Sequence, residues 1–100
     1  MNIHDENLSA AIVLYTAYGT ALSPRQDREA LPDAFGPLGN NLLAEVEAIL
    51  EEATTMPVDW HNHSLVSAGK MVRAKMHEMH PNLSAEALNA IEWKFTFDWR

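Results

Sequence analysis

Five histidines and fourteen carboxylates are the side chains of this 100-residue chain with most chemistry to offer. His61 and His63 flank Asn62. On extended backbone such a pair points both imidazoles to one side, where zinc or nickel can be chelated. At a helix start the same spacing splays the rings and leaves two polar, partly exposed side chains. His77 and His80 stand three apart with Glu78 between them. On a helix they share one side of a turn, open to a divalent metal or to complementing the negative C-terminal end of that helix. About sixteen residues, roughly 24 Å of helix, separate the two pairs, so they cannot form one intramolecular centre. A metal would need His4, a carboxylate from another helix, or a second copy. Capping is the expectation for His77 and His80, with metal binding or sensing as the alternative.

The carboxylates cluster. Glu45, Glu47, Glu51 and Glu52 occupy one segment that holds no basic residue. Magnesium binding by such glutamates needs a companion set on a facing helix. The next segment offers only Asp59 and Glu78, at opposite ends. With no cysteine in the chain, a thiolate nucleophile, a disulfide framework, Cys-ligated zinc and iron–sulfur clusters are excluded. No glycine-rich phosphate loop or nucleophile elbow is present. The chain therefore reads as a non-enzyme with no cofactor.

These side chains must be positioned by helices. The spacing of Leu8, Ile12, Tyr15, Gly19 and Leu22 predicts a first helix over Asp5 to Leu22, with Val13, Leu14 and Ala17 on its other side. A helix apolar nearly all round is packed on more than one face, in a bundle centre or a dimer contact. Ser23-Pro24-Arg25-Gln26 has the form of a capping box opening a short helix around Arg25–Leu31, stopped before Pro32. Two prolines and two glycines then predict a loop over residues 32–41, pinned to the core by Phe35 and Leu38. The glutamate-bearing helix follows, capped by Asn40 or Asn41 and running to Ala53, with Leu42, Leu43, Val46, Ile49, Leu50 and Ala53 on its apolar face. Asp59, or alternatively Asn62 or Ser64, caps a helix that ends at His80 before Pro81, with Leu65, Gly69, Val72, Met76 and Met79 as its stripe. Ser84 as N-cap, Glu86 in the first turn and Leu83 facing Leu88 mark the start of the last helix. Beyond Trp93 the residues alternate with period two, a strand signal, against a helical face of Leu88, Ile91, Phe95 and Trp99. No second strand candidate exists to pair with it, so helix to about Phe97 is the expectation and an extended 93–99 segment the alternative. On the helical reading Trp93 and Phe97 lie off the core face and suit an aromatic anchor for a partner or a dimer.

The expected architecture is all-α: one domain over residues 1–100, built from four main helices and one short one. Its charge is uneven. Up to Pro57, Arg25 and Arg28 stand against nine carboxylates, so that part carries the whole net charge of −7, and the remainder balances. Such a balance opposes nucleic-acid binding, where neutralised phosphates supply most of the free energy. The uncharged run from Asn7 to Pro24 is diluted by Ser9, Thr16, Thr20 and Ser23 and lacks the basic flank of a signal peptide. A cytoplasmic, non-membrane protein is expected. Acidic Glu45, Glu47, Glu51 and Glu52 with aromatic Trp93 and Phe97 point to docking of a basic protein partner. An immunity- or antitoxin-like inhibitor is the most concrete version, by analogy of fold and charge alone. The alternatives are a metal-binding or metal-sensing protein, a structural subunit of a larger assembly, and an acidic helix paired internally with Lys70 and Arg73.

Overall fold

A computed structural model describes residues 3–100. Helix α1 spans Ile3–Thr16 and buries Leu8, Ala11, Ile12 and Tyr15. It ends six residues earlier than the apolar spacing predicts, for a local reason. The buried Thr16 hydroxyl donates back to the Ile12 and Val13 carbonyls (2.9 and 3.3 Å). Ala17 then turns left-handed at φ 60°, and the N–H groups of Ala17 and Tyr18 reach the carbonyls of Leu14 and Val13, each at 3.2 Å. This is a Schellman ending with alanine in the seat that glycine usually takes. Gly19 follows at φ 85°, and Leu22 is fully exposed instead of continuing the buried stripe.

The segment after this turn also departs from expectation. Ser23–Gln26 does not start a helix. It runs back along the end of α1, where the N–H groups of Arg25 and Asp27 donate to Thr16 and Tyr15 carbonyls (2.9 Å each) and satisfy acceptors that the helix end leaves open. The short helix, α2, lies later, at Ala30–Phe35. Pro32 sits inside its first turn, where an N–H has no intrahelical partner to lose. A 3-10 turn over Gly36–Leu38 leads directly into α3, Gly39–Thr54. The predicted loop 32–41 is therefore helical throughout, with Phe35 packed on the core but Leu38 exposed. Gly39 makes this tight junction possible, since a Cβ there would lie 2.5 Å from Pro32 Cα.

Helix α4, Leu65–Met79, is capped by Ser64, whose hydroxyl accepts from the Ser67 N–H at 3.1 Å. Asp59 instead closes the preceding turn, accepting from the His61 N–H and the Asn62 side-chain amide (3.1 and 2.6 Å). Helix α5, Ala85–Trp99, starts on Ser84 as the sequence predicts and stays helical to Trp99. The extended alternative for 93–99 is not adopted, and no strand occurs among the described residues.

Packing makes α5 the central element. It lies against α4, α1 and α3, while α1 touches α5, α3 and α2, and α4 rests on α5. Ile12, Leu31, Val46, Val72, Met76, Ile91 and Phe95 are fully or almost fully buried in one cluster. Ser9, a polar residue within the apolar run, is buried because its hydroxyl accepts the Ser84 N–H at 2.9 Å and ties α1 to the start of α5. Gly69 brings α4 close to α5, with Thr96 Cγ2 2.6 Å from the place of an added Cβ. The result is an all-α bundle measuring 45 × 28 × 20 Å. Among the described residues no helix is long and apolar enough to cross a membrane.

Candidate functional site

Helix α3 buries Leu42, Val46, Ile49, Leu50 and Ala53, which turns its four glutamates outward. They do not form one face. Glu45 and Glu52, two turns apart, line one edge of the helix, and Glu47 and Glu51, four residues apart, line the other. Exposed Ala44 and Ala48 form the crest between them.

The two edges differ in their neighbours. On the first, His4 Nε2 lies 3.1 Å from Glu45 Oε1, and His80 Nε2 lies 2.8 Å from Glu52 Oε1. Both partners carry charge only when protonated. On the second, the Arg28 guanidinium stands 3.6 Å from Glu47 Oε1, and the Tyr15 hydroxyl donates to Glu47 Oε2 at 3.2 Å. Burial raises the Tyr15 phenol above its ordinary value, with the charge and hydrogen bond of Glu47 adding to the rise and Arg28 opposing it. Glu51 is exposed and meets no cation among the described residues. It overlooks a cleft shared with Tyr15, Gln26, Leu50 and buried Lys94, whose ammonium is held by Asp98 at 2.6 Å.

Internal cancellation by the basic residues of α4 does not occur. Arg73 turns to α5, donating to Asn89 Oδ1 at 3.0 Å and standing 3.8 Å from Glu92. Glu45, Glu47 and Glu52 keep 43%, 39% and 44% of their side-chain surface, so the edges remain available to solvent. Two anionic groups in the last turn of α3 would disfavour the helix. In that turn Glu52 Oε1 lies 2.8 Å from His80 Nε2, and the Trp99 indole N–H donates to the Thr54 carbonyl at 3.2 Å.

The aromatic residues sort differently from the sequence expectation. Trp93 is half-buried with Tyr18 edge-on at 5.5 Å, and Phe97 is half-buried under the Arg100 guanidinium at 4.4 Å. Trp99, expected on the core face, is exposed, and so is Trp60. Trp60 stacks on buried Phe95 and contacts Trp99 at 5.8 Å. The exposure of Trp60 has no sequence signal, because its irregular segment has no periodicity to read. The signal for Trp99 is its place in the last turn of α5, where the core runs out.

The histidine pairs are dispersed. His63 Nδ1 lies 2.6 Å from the Ser67 hydroxyl, His61 and His77 are exposed, and His80 faces Glu52. Among the described residues no group of three or more His or carboxylate side chains converges as a metal site. Comparison with family models, with curated proteins and with solved structures finds no match to this chain.

Proposed function

We propose that this chain is a non-catalytic protein-binding module that docks a basic protein partner on the acidic edges of α3, in the manner of an immunity or antitoxin-type inhibitor. The observation that carries the reading is the C-terminal end of α3. There the bare carboxylate of Glu51 sits one turn from Thr54, whose carbonyl holds exposed Trp99, with exposed Trp60 alongside. A charged group next to a rigid, partly exposed indole is the composition that concentrates binding energy in protein interfaces. Glu45, Glu47 and Glu52 extend the negative potential along the helix and would speed encounter with a cation-rich surface. Trp93 and Phe97 supply further apolar contact on the same terminal helix.

The test is capture of host proteins on the immobilised chain at low and high salt, beside a variant with Glu45, Glu47, Glu51 and Glu52 all changed to Gln. A basic protein retained only at low salt and lost by the variant is expected. Retention indifferent to both salt and variant would dismiss electrostatic docking.

A further inference from the structure

One strip of the solvent side of α1 is apolar where an exposed helix face is ordinarily polar. Ile3, Ala10 and Leu14 are exposed on it, and Val13 is half-buried at its border. The start of α5 rises beside it, fixed by the hydrogen bond from the Ser84 N–H to Ser9. Between them runs a groove of about 490 Å³, floored by Ala10, Val13 and Leu14, with Glu6 and Glu86 on its rims. Both glutamates are exposed, and neither meets a cation among the described residues.

From this pairing of an apolar floor with acidic rims we infer that the groove seats the apolar face of a cationic amphipathic helix from a protein partner. Glu6 to Leu14 spans about 12 Å, two turns of helix, which suits apolar anchors spaced three and four apart. Lysine or arginine beside those anchors would meet Glu6 and Glu86. A second copy of the chain is the poorer occupant, because two-fold pairing presents the same surface twice and brings acidic rims together with no cation between them. An anionic lipid surface is repelled by the same rims. The inference rests on the partner being basic, as the docking reading holds, but uses none of the α3 glutamates.

The probe is a synthetic peptide with leucines at helical spacing and lysines elsewhere, against a scrambled peptide of equal composition. Each is titrated into the full chain by fluorescence anisotropy. The patterned peptide is expected to bind more tightly than the scrambled one. Leu14→Ser should weaken it roughly tenfold, the equivalent of one leucine-sized anchor. Ala10→Arg, also at an exposed helical position, should abolish binding, with circular dichroism showing the fold intact. The quadruple Gln variant of α3 should affect the peptide less than either. Equal binding of both peptides, or indifference to both groove variants, overturns the inference. So does a wild-type dimer in light scattering that Ala10→Arg dissociates, or vesicle binding that Ala10→Arg removes. Peptide binding lost only in the α3 variant would sink the groove while leaving the docking reading in place. Binding lost only in the groove variants, with no basic partner captured through α3, would do the reverse.

Discussion

At the scale of single residues, Tyr15 ties the core to the surface charge. Its ring is buried while its hydroxyl reaches Glu47, and both conditions favour the protonated phenol. The folded chain therefore holds this proton more tightly than the unfolded chain, whose phenol titrates near pH 10. The stability it contributes is complete below that pH and is lost as pH rises through the higher folded value. Spectrophotometric titration should show a late-ionising phase, and Tyr15→Phe should remove it. The edge of α3 that meets His4 and His80 can be tested by charge substitution. Changing both histidines to Lys places permanent cations beside Glu45 and Glu52, so a basic partner should bind that variant more weakly. Equal binding by the variant and the wild type in a binding titration would separate these pairs from docking.

The helices depend on a few backbone-level choices. Ala17 occupies a left-handed conformation that costs an L-residue about 1–2 kcal/mol, partly offset in glycine by its greater unfolded freedom. Ala17→Gly should stabilise the chain by about 0.5–1 kcal/mol in urea unfolding. Gly69→Ala should destabilise by about 1–3 kcal/mol through its collision with the Thr96 methyl. Thr96→Ser, which deletes that methyl and keeps the hydroxyl, should restore much of the loss in a double-mutant cycle. Gly39→Ala meets the backbone of Pro32, so no side-chain trimming should rescue it. The same features mark where the sequence is and is not legible. Helices α3 and α5, each with a definite apolar stripe and, in α5, a serine cap, are readable nearly to their ends. Helix α1 reads too long because Thr16, Ala17 and Tyr18 carry no glycine or proline to announce the turn. Helix α2 lies later than its pattern suggests because Pro32 reads as a stop but serves as a first-turn residue. The acidic helix is legible, but its division into two edges depends on how α3 is rotated against α1 and α5, and its histidine partners come from segments distant in sequence.

Across the whole molecule, the net charge of −7 makes copies of the chain repel one another. Screening by salt should weaken that repulsion and favour association, so size-exclusion elution should shift earlier at high salt. Equal elution at low and high salt would show that charge does not govern self-contact. The arrangement of helices carries one more consequence. Since α4 packs mainly on one neighbour, α5, while α1, α3 and α5 each pack on three, its detachment breaks a single helix interface, uncovering Val72, Met76 and the α5 face beneath them. In native-state hydrogen exchange, amides of α4 should open as a separate group, ahead of those in α1, α3 and α5. A protease would then make its first cuts in α4, leaving α1, α2, α3 and α5 as the durable kernel of the fold.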